Sequence, residues 1–214
     1  MRYTLFFSIV LFLQNSLVAQ SGEWRVLGGV KMSSRWQTQA YGISGDDVFW
    51  QIESTEPISL GTYSMIYSRK ISPKWAWSLG LNYNAKGIKQ KGVFYDATVI
   101  PDRYFYSENR INKYIGSLIG ARYTFFDKKG WQFAAEVVMN PEIEMQGYGN
   151  MKKFALSSMA VLNIEKILNR HLSVVLNPFF ESSLMRYTKK GTLGYFDYNP
   201  FGYGLTLGVK YSKN

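Results

Sequence analysis

Apolar and polar side chains alternate along most of this chain with a period of two. Over 75–86, Trp75, Trp77, Leu79, Leu81, Tyr83 and Ala85 fall on one face, and Ala76, Ser78, Gly80, Asn82, Asn84 and Lys86 on the other. Successive strand residues point to opposite faces, so this spacing predicts a strand with one greasy face and one small or polar face. Ile115, Ile119, Ala121, Tyr123 and Phe125 oppose Gly116, Gly120, Arg122 and Thr124 in the same way. Trp131, Phe133, Ala135, Val137 and Met139 oppose Gln132, Ala134, Glu136 and Asn140. Three further segments repeat the pattern, around 154–165, 172–183 and 203–211. Weaker alternation over 24–32 and 60–70 brings the expected strands to eight.

The connections alternate in length. Ser72-Pro73-Lys74, Asp127-Lys128-Lys129-Gly130 and Leu168-Asn169-Arg170-His171 are tight and built of turn residues. The four between them, around 42–47, 96–102, 147–150 and 189–200, are longer or more polar. Short turns at one end and long loops at the other predict an all-β, eight-stranded antiparallel up-and-down transmembrane barrel, with the tight turns and both termini on the periplasmic side. Alternation continues over 48–53 and 93–98, so hairpins are expected to stand beyond the membrane. Pro178 lacks a ladder donor and predicts a bulge in its strand.

The two faces decide between a soluble and a membrane barrel. A soluble barrel or a sandwich would hold the apolar set inside. Here the other set carries Arg25, Lys31, Lys86, Arg122, Glu136, Glu165, Glu181 and Lys210. Eight strands enclose only enough room for side chains, which suits a lumen of small residues and paired charges. Arg122 and Glu136 are expected to pair across adjacent strands, and Glu165 and Glu181 to pair with Lys210. Rows of Trp, Phe, Leu and Tyr suit acyl chains. Trp24, Tyr67, Trp75, Trp77, Phe125, Trp131 and Tyr211 are expected at the short-turn rim, and Tyr83, Tyr106, Tyr187 and Tyr203 at the long-loop rim. Such belts mark the two membrane interfaces.

Composition then narrows the setting. Met1-Arg2, the apolar run 5–13 and Ala19 before Gln20 have the three parts of a secretory signal. Residues 1–19 are therefore expected to be removed, leaving 20–214 as one barrel domain. No later apolar run is long enough for a membrane helix, which needs about 20 residues. The absence of cysteine excludes disulfides, thiolate metal sites and a lipid-anchored cysteine, and one histidine excludes any site needing two imidazoles. The chain carries 25 Lys and Arg against 15 Asp and Glu, but without an aromatic-basic recognition motif, so nucleic acid is not an expected partner.

On this pattern the chain resembles the eight-stranded outer-membrane β-barrel proteins, the OmpA/OmpX-type and PorT-like barrels. The resemblance spans the whole mature chain and ends on a strand with Tyr203, Leu205, Leu207, Val209 and Tyr211. Ser212-Lys213-Asn214 follow, where many such barrels end in an aromatic residue. It implies a bacterial outer membrane location, with export through the N-terminal signal.

Candidate chemistry is sparse. His171-Leu172-Ser173 has the His-x-Ser spacing similar to outer-membrane lipid A deacylases, but it falls at the periplasmic rim, away from lipid A. Arg25, Arg122, Glu136, Glu165, Glu181 and Lys210 read as a structural lumen network, since buried charges must be paired. Mixed signs there argue for a plug against a narrow small-solute channel. Asp46-Asp47 and Glu142/Glu144 are expected as solvated loop acids, too few for a calcium site. Trp36, Tyr41, Trp50, Tyr104 and Tyr198 are candidate loop binding aromatics, and Lys152, Lys153, Lys189 and Lys190 candidate contacts for lipopolysaccharide phosphates. The expectation is a non-enzymatic barrel, without a cofactor, in a structural, adhesion or complex-subunit role. Its partners would be outer-membrane lipids including lipopolysaccharide and other outer-membrane or secretion-complex proteins. The alternatives are a lipid-modifying enzyme and a narrow channel.

Overall fold

A computed structural model describes residues 22–44, 48–96, 103–146, 154–185, 187–191 and 194–213. The strands are β1 (Glu23–Ser44), β2 (Val48–Glu56), β3 (Ile58–Lys70), β4 (Trp75–Asp96), β5 (Arg103–Lys128), β6 (Trp131–Gln146), β7 (Phe154–Ile167), β8 (Leu172–Ser183), β9 (Tyr187–Gly191) and β10 (Gly194–Ser212). They form one antiparallel sheet. Its ring runs β1-β3-β4-β5-β6-β7-β8-β10 and closes where β10 pairs with β1, from Glu23↔Ser212 to Gly42↔Gly194. That is the expected closed barrel of eight. Closure leaves no sheet edge in the spanning region, as a lipid environment requires.

Strands β2 and β9 stand above the ring. β2 continues the line of β3 beyond Pro57 and pairs with β4, from Glu56↔Lys89 to Val48↔Asp96. β9 forms a hairpin with the start of β10. Much of the loop expected over 189–200 is therefore strand. The segments 45–47, 97–102 and 147–153 lie outside the described residues.

The wall is uneven in height. Pairing of β4 with β5 continues to Tyr95↔Arg103, twelve residues beyond Tyr83↔Ile115. At about 3.3 Å per residue that is roughly 40 Å along the strand. Pairing of β6 with β7 stops at Ile143↔Phe154. One side of the barrel thus rises well above the other.

At the opposite end, β5 and β6 are joined by Lys129-Gly130 alone, both with positive φ (53° and 75°). This is the left-handed pair a two-residue hairpin demands. Ile71 and Ser72 amides donate to Trp75 O, and Leu168 and Asn169 amides to Leu172 O, closing the other two turns. Pro178 makes no bulge. It sits in unbroken β8–β10 pairing opposite Leu205, and the β7–β8 register is the same on either side of it. The missing N–H only interrupts the ladder toward β7.

Alternation sorts the side chains as expected across the ring. Val26, Val30, Met65, Leu81, Ile119, Val137, Leu207 and Val209 are exposed outward. At the short-turn rim, Trp24 packs on Tyr67 at 5.1 Å and Trp75 on Tyr123 at 4.9 Å. Tyr63 with Tyr83 and Phe180 with Phe201 form a second, higher group. Tyr106 does not belong to it. It pairs with Gly92, nine residues above Tyr83↔Ile115.

Candidate functional site

The lumen holds two separate ion clusters with an aliphatic layer between them. The lower cluster lies toward the short turns. Arg25 is fully buried and forks onto Glu136, its Nη1 donating to Oε2 at 2.7 Å and its Nη2 to Oε1 at 2.9 Å. Asn163 Oδ1 accepts from Nη1 at 2.6 Å and Ser68 Oγ from Nη2 at 3.0 Å, while the buried Nε has no partner among the described residues. Ser78 Oγ and Asn163 Nδ2 donate to the same carboxylate. Arg122 Nη2 donates to Glu23 Oε2 at 2.5 Å. Lys210 lies 3.3 Å from Glu23 and 2.5 Å from Glu165. Three acids thus meet three bases, and each buried charge has an opposite within reach, which offsets the desolvation of both.

The upper cluster is built from lysines. Lys31 donates to Glu181 Oε2 at 2.7 Å and to Asn84 Oδ1. Lys86 reaches Glu142, and Glu181 at 2.8 Å. Asn84 Nδ2 joins the two carboxylates, at 2.6 Å from Glu142 Oε1 and 3.0 Å from Glu181 Oε1. Ser157 and Asn140 donate to the same acids, each at 3.0 Å. This cluster is neutral as well, with two lysines and two glutamates.

Between them Leu27, Ile66, Leu118, Val138 and Val175 form a buried aliphatic layer, with Met159 and Val161 packed against it. A cavity of about 40 Å³ opens there, walled by Leu27, Ile66, Leu118 and Val138 and by Arg25, Asn82, Glu136 and Asn177. It has room for a few water molecules at most.

Several expectations need correction. Arg122 and Glu136 are register partners on β5 and β6, yet their ion pairs go elsewhere, to Glu23 and Arg25. A closed barrel brings opposite walls within reach: Arg25 on β1 and Glu136 on β6 stand four strands apart in the ring. Glu165 and Glu181 are also separated, the first in the lower cluster and the second in the upper, because they lie at opposite heights on antiparallel neighbours. Glu142 is not a loop acid; it is fully buried beside Lys86. Glu23 and Glu142 were missing from the expected network, although Glu23 continues the inward phase of Arg25 by one step of two and Glu142 that of Glu136 by three. The aliphatic layer was missed too. Its signal was the apolar residues out of phase with the greasy face, such as Leu118, Val138 and Val175.

No family model and no curated protein matches the chain by sequence. Solved structures do match by shape. The outer membrane protein OprG from Pseudomonas aeruginosa is similar over 91% of this chain and 97% of its own, with TM-score 0.53 and 11% identity. This chain has the outer-membrane β-barrel fold. The outer membrane protease OmpT from Escherichia coli aligns at TM-score 0.46 and 9% identity, over 91% of this chain and 97% of that one. Ail, the attachment invasion locus protein of Yersinia pestis, aligns at 0.36 and 11%, over 89% and 99%. At such identities the shared property is the fold.

In this barrel His171 and Ser173 do not meet as a dyad. His171 is exposed in the β7–β8 turn, its Nδ1 3.0 Å from Ser212 O, while Ser173 is buried on the lumen side. Among the described residues, no hydrogen bond joins the two side chains and no group of three or more His, Asp or Glu is placed to hold a metal. Trp36, Tyr41, Trp50, Tyr104 and Tyr198 lie on strand backbone, but their side chains lie outside the described residues, as do Asp46-Asp47, Lys152 and Lys153, and the side chains of Lys189 and Lys190.

Proposed function

We propose that this is a non-enzymatic barrel of the bacterial outer membrane, exported by a signal at 1–19, with 20–214 as its single domain. Its role is structural, adhesive or as a subunit of a larger envelope complex, and contacts are made through the tall outer wall. The observation that carries this reading is the doubly plugged lumen. Two charge-neutral, hydrogen-bonded clusters bracket an aliphatic layer, and the cavity of about 40 Å³ found there among the described residues is too small for a solute. A barrel so filled has its surface left to work with. Lipopolysaccharide is the proposed neighbour of the outer loops, through Lys152, Lys153, Lys189 and Lys190. Other outer-membrane or secretion-complex proteins are the proposed partners of the loop aromatics Trp36, Tyr41, Trp50, Tyr104 and Tyr198.

Topology and conductance test it together. A tag inserted at Gly45 should be labelled on intact cells, and one at Lys129 only after the outer membrane is opened. Purified barrel in a planar bilayer should show no steady current steps. Reversed labelling would overturn the orientation, and regular conductance would overturn the plug.

A further inference from the structure

The excess positive charge of this protein is not spread over it. Inside the lumen five bases meet five acids. The upper strands and the segments joining them carry eleven Lys and Arg against nine Asp and Glu. At the short-turn end, by contrast, eight bases meet one acid, Asp127. Seven of the net ten positive charges sit on one rim.

Every turn there contributes. Arg69, Lys70 and Lys74 flank the β3–β4 turn, Lys128 and Lys129 the β5–β6 turn, Lys166 and Arg170 the β7–β8 turn, and Lys213 follows β10. Seven of the eight are exposed, and Lys166 is half-buried. They are therefore distributed around the barrel, not gathered in one sector. Their depth is set by register. Arg69 pairs with Trp77, while Lys128 and Lys166 both pair with Trp131. Lys166 Nζ lies 4.8 Å above the Trp131 ring. Arg69 is exposed and shares the outward phase of the exposed Tyr63 and Met65, a position from which a long cationic side chain can reach the headgroups. Tryptophan marks the interface, and long cationic side chains at that level reach to the phosphates.

We propose that this rim is a basic collar that binds the phosphodiester headgroups of anionic phospholipids in the leaflet it touches. A ring at headgroup depth fits an annulus of lipid, whereas a protein partner would engage one sector. That the leaflet is the periplasmic one rests on the orientation proposed above; the headgroup preference does not.

The test uses folded barrel in phosphatidylcholine vesicles doped with spin-labelled phosphatidylglycerol or spin-labelled phosphatidylcholine. The motionally restricted, protein-bound fraction should be several-fold larger for phosphatidylglycerol, and the difference should collapse in 0.5 M salt, where the screening length falls to about 4 Å. Arg69→Gln, Lys74→Gln, Lys128→Gln, Lys129→Gln, Lys166→Gln and Arg170→Gln combined should abolish it. Lys89→Gln with Lys91→Gln, on the outer wall, should leave it unchanged. Equal restriction of the two lipids by the wild-type barrel overturns the collar, and so does selectivity that survives the sixfold change. If the sixfold variant fails to insert, the wild-type salt titration decides alone. A chain that shows no heat-modifiable band in any lipid would instead overturn the barrel reading.

Discussion

Glu136 in the lumen and Glu56 on the outer wall each sit beside basic side chains, and the surroundings make them different objects. Glu136 is 2% exposed and receives both arms of Arg25, with Ser78 and Asn163 filling its remaining acceptor sites. Glu56 is 43% exposed, between Lys91 and a Lys89 ammonium at 3.5 Å. If Glu56 loses a partner, water takes its place. If Glu136 does, only the few waters that the adjoining small cavity can hold are within reach. The same ion-pair chemistry therefore specifies structure inside the barrel and only trims it outside.

The sharpest way to break that contrast is to remove one side of the buried fork. Glu136→Leu strands the Arg25 guanidinium and should lower stability by about 3–5 kcal/mol. Arg25→Met with Glu136→Leu should recover much of the loss, because both charges then leave the interior together. Urea unfolding from lipid, arranged as a double-mutant cycle, measures the coupling. A coupling near zero would mean that the opposite walls do not meet and that the lumen is wetter than described.

This fork was only half legible in the sequence. Alternation told which face Arg25 and Glu136 share, because a strand has a period of two. Adjacency on paper then favoured Arg122 as the partner of Glu136, and adjacency misled. Across a narrow closed barrel the distance between opposite walls is comparable to that between neighbours, and which heights coincide depends on strand stagger, which hydropathy does not encode. Glu165 and Glu181 are a different case, since counting from the β7–β8 turn already sets one low and the other high. Ring closure, tight turns and outward belt were readable because each rests on local chemistry: alternating faces, Lys129-Gly130, rim tryptophans. The inward aliphatic layer was hidden by its mild departure from the rule that the lumen is polar.

A smaller effect probes how little slack the lumen has. A Cβ added at Gly116 would lie 2.5 Å from Asn140 Oδ1, 2.6 Å from Asn82 Oδ1 and 2.8 Å from Glu142 Cγ. Asn140 is tied to Glu142 by a hydrogen bond, so it cannot swing aside without giving that bond up. Gly116→Ala should cost about 1–3 kcal/mol. Gly61→Ala is the control, since its Cβ would meet only the Tyr63 ring, at 3.6 Å. The two unfolding midpoints compare them directly. Equal midpoints would show that the upper cluster can repack, and would weaken the contrast between lumen and outer wall.

The weakest expected effect belongs to Glu56 and is visible only locally. The Lys91 hydrogen bond, with the Lys91 and Lys89 charges, holds its carboxyl below the ordinary value of 4.5. A lowered carboxyl contributes stability that is fully present above the ordinary value and is lost as pH falls through the lowered one. Wild type should therefore protect the β2–β4 amides from hydrogen exchange more than Glu56→Gln does at neutral pH. The two should converge once the carboxylate is protonated. Comparing both proteins at each pH cancels the intrinsic exchange rate, which itself varies with pH. The global unfolding midpoint should be the same in both, because the pair lies in solvent above the ring and salt screens it. A shifted midpoint, or a difference that persists at low pH, would mean that the outer wall is coupled to the lumen. The two regions would then have to be treated as one cooperative unit.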